Sequence, residues 1–394
     1  MPRYAQRVEE FGTTIFAEIN NLAEAHHAIN LGQGRPDFDG PKAIMDAAAA
    51  AVLDGRYNQY PPGLGILPLR QAIADHAARF YNQEIDPQRG VVVTCGASEA
   101  VFSAILGLVD PGDEVILLEP YFDTYLPAVC IAGGVPVYVP LRPPDWRFDP
   151  DALRSAFSEH TRAIIVNTPH NPTGRVFDAG ELALIAELCQ RYDAIVIADE
   201  VYEHIIYDGA QHSPIANLPG MFERTVTISS AAKTYSFTGW KVGWAYGHPD
   251  LITGVWRIHQ NVNYSVHHPS QVALAQALAL DSSYYEELQA MYTRKRDVTM
   301  QALTAAGLKP TLPQGAFYIM ADFSNVFDGN DLDFARFLIQ EIGVACIPPS
   351  SFFCAEHRAI GQKTVRFSFC KEDDVLHAAH RLPCRRRNAQ IGRA

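Results

Sequence analysis

Six short apolar runs in one stretch of the chain restrict its fold more than any other feature. They occupy residues 91–94, 114–118, 135–139, 163–166, 194–197 and 225–228. Helical patterns separate most of them, as in 181–188, where apolar residues recur at three- and four-residue intervals. Strands that are apolar along their whole length, alternating with helices, predict an α/β fold. Its central sheet is mostly parallel and covered on both faces. One further strand, over 241–247, follows its predecessor after a short loop and is expected to run antiparallel. In such a sheet, ligands gather beyond the carboxyl ends of the strands, so chemistry is sought just after each apolar run.

Beyond Pro249 the pattern turns helical, with helices expected over 269–280 and 284–306. A strand over 315–320, a helix over 332–342 and a strand over 364–369 follow. This reads as a smaller α+β domain over 285–383. The first segment, 1–45, is expected to join it, leaving 46–284 as the large domain. Residues 384–394 are set apart as a tail expected to lack order.

The charge balance excludes whole classes of partner. With 32 Lys and Arg against 44 Asp and Glu, the net charge is −12. Such a chain is a poor binder of nucleic acid or of an anionic membrane. No apolar run approaches the roughly 18 residues of a membrane span, and the first residues lack the apolar centre of a signal peptide. The 7 cysteines are scattered without a C-x-x-C pair. That pattern argues against a disulfide framework or a metal site and fits a cytoplasmic location.

Several residues after the apolar runs carry chemistry. Lys233 stands among Ser229, Ser230, Ala231 and Ala232, just past the run ending at Ile228. Small neighbours leave room for a bulky aldehyde to reach its amine, and a desolvated lysine forms Schiff bases readily. Asp199 ends the run 194–197 with one residue between, and a buried carboxylate needs a cation or a donor. Tyr202 follows three residues later. Asn171 lies in Asn-Pro-Thr-Gly, 171–174, between turn-forming prolines. Gly96, Ala97 and Ser98 open a helix after a strand, where backbone N–H groups favour a phosphate. Ser230 and Lys241 are further phosphate candidates. Arg366, in an otherwise apolar strand, is suited to clamp a carboxylate. Taken singly, each has an ordinary structural reading as a surface lysine, a cap, a turn or a salt bridge.

As an ordered set, these segments resemble the class I (fold type I) aminotransferases that use pyridoxal 5'-phosphate. The resemblance runs from about residue 10 to 380 and rests on Asn171 to Gly174, Asp199-x-x-Tyr202, Ser230-x-x-Lys233 and Lys241. The kynurenine/glutamine branch is most similar, through residues 31–34, 58–60, 119–123 and 238–244. Actinobacterial N-succinyldiaminopimelate aminotransferases are similar over 58–63 and 228–233. The resemblance implies that Lys233 holds the cofactor as a Schiff base. It implies that Asp199 pairs with the pyridine nitrogen, and that Tyr202 and Asn171 contact the ring oxygen. Phe122 would stack on the ring. Ala97, Ser98, Ser230 and Lys241 would bind the phosphate, joined by Tyr60 from the second subunit of a homodimer. Gly34, Asn171 and Arg366 would hold the substrate carboxylate. Three departures touch the substrate pocket: Arg35 replaces an aromatic residue, Phe16 a tryptophan, and Ser265, beside Tyr264, a histidine. The implied activity is ping-pong transfer of an amino group from an L-amino acid of kynurenine, glutamine, methionine or aromatic type to a 2-oxo acid. N-succinyldiaminopimelate transamination and β-elimination from cysteine conjugates are the alternatives.

Overall fold

The computed structural model describes residues 4–9 and 11–386. In chain order its strands are β1 (Ile29–Asn30), β2 (Val91–Thr94), β3 (Glu114–Glu119), β4 (Val135–Arg142), β5 (Arg147–Phe148), β6 (Thr161–Asn167) and β7 (Ile195–Asp199). They continue with β8 (Thr225–Ser230), β9 (Gly243–Gly247), β10 (Lys309–Pro310), β11 (Tyr318–Asp322), β12 (Val344–Ala345) and β13 (Thr364–Ser368).

An 8-stranded sheet has the order β2-β9-β8-β7-β6-β3-β4-β5. Pairings among β4, β3, β6, β7 and β8 are parallel, while β9 runs antiparallel to both neighbours. The expected antiparallel member is therefore present. β5 adds an antiparallel edge that the sequence pattern does not announce, because two residues carry no periodicity.

The sheet is covered on both faces, and β6 makes this plain. Ile164 and Val166 join one apolar cluster, whereas Ala163 and Ile165 join the cluster on the opposite side. β7 alternates in the same way, with Val196 and Ala198 on one face and Ile195 and Ile197 on the other. Fully burying each such Val or Ile contributes about 1.5–3 kcal/mol. A one-residue slip would exchange every side chain between the two cores, so this burial fixes the register and with it the strand ends. Helix Ala179–Arg191, between β6 and β7, starts at a capping box in which Asp178 and Glu181 satisfy each other's backbone N–H groups.

A second, antiparallel sheet has the order β10-β11-β13, and β1 pairs in parallel with β12. The long helices expected here are Ser282–Ala305 and His268–Ala277. The strand expected over 315–320 starts later, at Tyr318. Ala316 takes φ 56°, and Gly315 bridges to Ile206 instead of entering the ladder. Helix Asp373–Arg386 carries the chain through 384–386, into the segment set apart as a tail, and 387–394 lie outside the described residues.

Candidate active site

The carboxyl ends of β2, β3, β6, β7 and β8 share one edge of the sheet, and β9 begins there because it runs the opposite way. A cavity of about 380 Å³ opens at this edge. Twelve of the residues singled out from the sequence line it: Phe16, Gly34, Gly96, Ala97, Ser98, Phe122, Asn171, Asp199, Tyr202, Ser230, Lys233 and Lys241.

Lys233 sits in the short helix Ala231–Thr234, which Ser230 caps through the Ala232 amide. Its ammonium is half-buried, donates to the Gly34 carbonyl at 3.3 Å, and lies 5.5 Å and 5.7 Å from the ring centres of Phe317 and Tyr202. Desolvation pushes its pKa down, against the raising influence of Cys370 and Asp199. An amine in such surroundings loses its proton more easily than a surface lysine. Gly34 is confined to glycine by packing, because a Cβ there would come within 1.9 Å of the Tyr318 hydroxyl.

Asp199 ends β7 and is buried. Tyr125 donates to its Oδ2 at 2.6 Å and the Val201 amide to its Oδ1 at 3.3 Å. Burial pushes its carboxyl pKa up, while these two donors and the Lys233 charge pull it back. A cation against this carboxylate would favour its ionised form. Tyr202 shares a hydrogen bond of 3.0 Å with Tyr318, and burial holds its phenol well above the ordinary range.

Asn171 receives the Arg366 Nη1 donor on its Oδ1 at 2.8 Å, and its amide is anchored on Asn167 Oδ1 at 2.7 Å. Arg366 also donates Nη2 to the Gly32 carbonyl at 2.6 Å. It does not line the cavity directly. The rings of Tyr318, Phe16 and Phe352 stand 4.2, 5.1 and 5.8 Å from its guanidinium carbon, and its buried Nε has no hydrogen-bond partner among the described residues. His170 is structural: it pairs with Thr173, and burial pushes its pKa down to about 3, which leaves it neutral.

At the β2 end, Gly96 has φ +79° and a Cβ on it would stand 3.1 Å from Lys241 Nζ. The turn therefore keeps a lysine amine close to the N-terminus of helix Gly96–Leu108, where free N–H groups and the helix dipole favour an anion.

Four expected residues lie elsewhere in the single chain. Tyr60 is 85% exposed and Tyr264 54% exposed, and their rings meet edge-on at 5.7 Å. Tyr60 and Ser265 line a separate hollow with His267 and His268. Arg35 is exposed and off the cavity wall. Its carbonyl accepts from Lys371 at 2.8 Å, and among the described residues no ion pair joins it to Asp37 or Asp39. The sequence reading missed Tyr125, Asn167 and Tyr318. Tyr125 stands three residues past Phe122, at the start of helix Tyr125–Ala132. Tyr318 had no local signal, because its approach depends on the second sheet.

These residues fit pyridoxal 5'-phosphate. An anion cradle, a buried carboxylate and a desolvated lysine line one cavity of suitable size, and Arg366, with its unpaired N–H, stands behind the Asn171 wall. Comparison with known proteins points the same way. Residues 26–382 match the family model "Aminotransferase class I and II". The probable N-succinyldiaminopimelate aminotransferase DapC of Mycobacterium tuberculosis is 44% identical, over 95% of this chain and 96% of that protein. The kynurenine–oxoglutarate transaminase of Dictyostelium discoideum is 39% identical, over 95% and 94%. The structure of Escherichia coli YbdL, for which a methionine aminotransferase function has been identified, superposes with a TM-score of 0.93. It is 38% identical, covering 98% of this chain and all of that one.

Proposed function

The chain belongs to the class I and II aminotransferases and is a pyridoxal-phosphate-dependent transaminase, and within that family we propose that its amino donor is a neutral L-amino acid of glutamine, methionine, kynurenine or aromatic type. The observation that carries this reading is the cavity wall. Away from the sheet edge it is formed by Phe16, Phe122, Thr14, Gln33 and Tyr318. Among the described residues its cationic groups are Lys233 and Lys241, both on the sheet side. A distal carboxylate, as on an N-succinyl donor, would meet rings and amides there and forgo a charge-assisted pair. That forgone pair is about 1.5–3 kcal/mol, or roughly ten- to a hundredfold in kcat/KM. Rings and thioethers instead pack well against aromatic walls.

When bound, pyridoxal phosphate supplies an electron sink for the charge left at the substrate α-carbon. Lys233 Nζ, desolvated beside the Gly34 carbonyl, takes and returns the α-proton as a general base and acid. Asp199 carries the negative charge that keeps a proton on the ring nitrogen, and Tyr125 steadies that charge. Asn171 and Arg366 orient the α-carboxylate. Their mutual hydrogen bond presents the amide and the guanidinium as one unit. Lys241 and the helix start at Gly96 hold the phosphate.

The protein acts as a cytoplasmic homodimer in which Tyr60 serves the neighbouring subunit's site. The exposed Tyr60–Tyr264 pair supports the dimer, and 7 cysteines scattered without a C-x-x-C pair support a reducing compartment. Mass measurement at micromolar concentration gives twice the chain mass; an active monomer contradicts the shared site.

A donor screen with 2-oxoglutarate, glyoxylate and phenylpyruvate as acceptors tests the substrate reading. Glutamine, methionine, kynurenine and phenylalanine should exceed N-succinyldiaminopimelate and glutamate by at least about tenfold in kcat/KM. Preference for an acidic donor overturns it. Pyruvate release from a cysteine conjugate without an added oxo acid would mark β-elimination instead.

A further inference from the structure

Two groups of described side chains bring three ligand-type atoms within 4.8 Å of one another. His76, Glu203 and His204 are wholly buried. The two imidazoles share an Nε2–Nε2 hydrogen bond of 2.8 Å, and with all three side chains buried the group has no face open to solvent. The other group is different. Glu119 ends β3, three residues before Phe122, and its side chain is fully buried. Cys354 and His357 lie on the segment that follows the 3-10 turn Pro349–Phe352, and both are partly open to solvent.

We propose that Glu119 Oε2, Cys354 Sγ and His357 Nδ1 form a zinc site beside the catalytic cavity, with a fourth position left to water. Sγ stands 3.5 Å from Nδ1 and 3.7 Å from Oε2. Ordinary zinc bond lengths hold tetrahedral sulfur, nitrogen and oxygen donors about 3.4–3.6 Å apart. Nδ1 and Oε2 share a hydrogen bond of 2.5 Å and must part by roughly 1 Å to admit the ion. One soft thiolate, one imidazole and one carboxylate form a donor set that selects zinc over magnesium or calcium. An outer partner is already in place, since the Cys354 amide donates to Glu119 Oε1 and holds the carboxylate with Oε2 beside the other two ligand atoms. On binding, the thiol proton leaves to solvent, and the proton shared between Nδ1 and Oε2 also leaves both ligand atoms, so that the neutral imidazole carries its one proton on Nε2.

The sequence argued against a metal site because its cysteines lack pairs. The ligands come instead from a Cys-x-x-His step and a carboxylate 235 residues earlier, which only the fold brings together. The site would brace the mouth of the cavity. It ties the strand end leading to Phe122 to the segment carrying Phe352, whose carbonyl already accepts from the Tyr121 amide at 3.0 Å.

The test is equilibrium dialysis of the untagged holoenzyme against micromolar zinc, followed by metal analysis. One zinc per chain is expected. Cys354→Ser and His357→Ala should each weaken binding by more than about a hundredfold, beyond the ten- to hundredfold cost of losing an outer partner. Zinc should raise the melting temperature of the wild-type protein and leave that of Cys354→Ser unchanged. If the variants do not fold, cobalt decides on the wild-type holoenzyme. Intense visible ligand-field bands of tetrahedral, thiolate-bound cobalt support the site, and their absence overturns it. Absence of stoichiometric zinc, or zinc retained in Cys354→Ser, also overturns it.

Discussion

On the sheet side of the cavity, Asn171, Asp199, Tyr202, Ser230 and Lys233 each stand within four residues of a strand end. All but Lys233, which is half-buried, are buried. Away from the cavity wall, Arg35, Tyr60 and Tyr264 are exposed, and Ser265 lies in another hollow. The first group inherits its positions from the register of β6, β7 and β8, which the two apolar cores hold fixed. The second rides on loops outside those two cores. On the proposed roles, the reaction belongs to the sheet and the choice of substrate to its surroundings. Substitutions on the sheet side should damage turnover with every donor, whereas those in the second group should cost far less.

The largest effect is expected at Lys233. Lys233→Ala removes both the covalent anchor and the proton carrier, so kcat should fall by more than about ten-thousandfold with every donor. Steady-state assays with one neutral and one acidic donor check this, and a loss confined to one donor would break the division between the two sides. Asp199→Asn comes next, at about a hundred- to a thousandfold in kcat, because the uncharged amide no longer sustains the protonated ring nitrogen. A loss below tenfold would remove Asp199 from that role.

Tyr125→Phe sharpens the comparison from a residue that the sequence reading missed. Deleting a hydrogen bond to a charged carboxylate costs about 1.5 kcal/mol, roughly tenfold in kcat/KM. The sign of the pH effect follows from the geometry. Burial already raises the Asp199 pKa and the Tyr125 hydroxyl lowers it, so its removal moves the pKa further up. Activity that needs ionised Asp199 is present above that pKa and is lost as pH falls through it. The acidic limb of the kcat/KM profile should shift to higher pH in Tyr125→Phe, and an unmoved limb would leave Tyr125 with a packing role.

What could be read from the sequence follows the same division. The apolar runs 163–166 and 194–197 announced β6 and β7, because a strand buried on both faces has no polar residues to blur the pattern. Residues just past those runs were then legible as chemistry. Tyr318 was not, since it reaches Tyr202 from β11 in a separate sheet, and no local pattern encodes that approach. Arg366 was legible as a buried arginine, but its cover of Phe16, Tyr318 and Phe352 comes from three distant segments. The short edge strand β5 and the late start of β11 were illegible because two-residue pairings and a left-handed Ala316 are tertiary outcomes.

The smallest effect is expected at Arg35. Its side chain is exposed and off the cavity wall, so Arg35→Phe should change the ratio of kcat/KM for an acidic and an aromatic donor by less than about fivefold. A larger change in favour of the aromatic donor would bring Arg35 into the pocket, from this subunit or its neighbour.

The central claim is that the lysine at the carboxyl edge of β8, Lys233, carries the cofactor. Reduction of the holoenzyme with borohydride, proteolysis and peptide mass spectrometry test it directly. The account predicts a phosphopyridoxyl group on the peptide containing Lys233 and an unmodified Lys241. The group on Lys241, or on any other lysine, would contradict it.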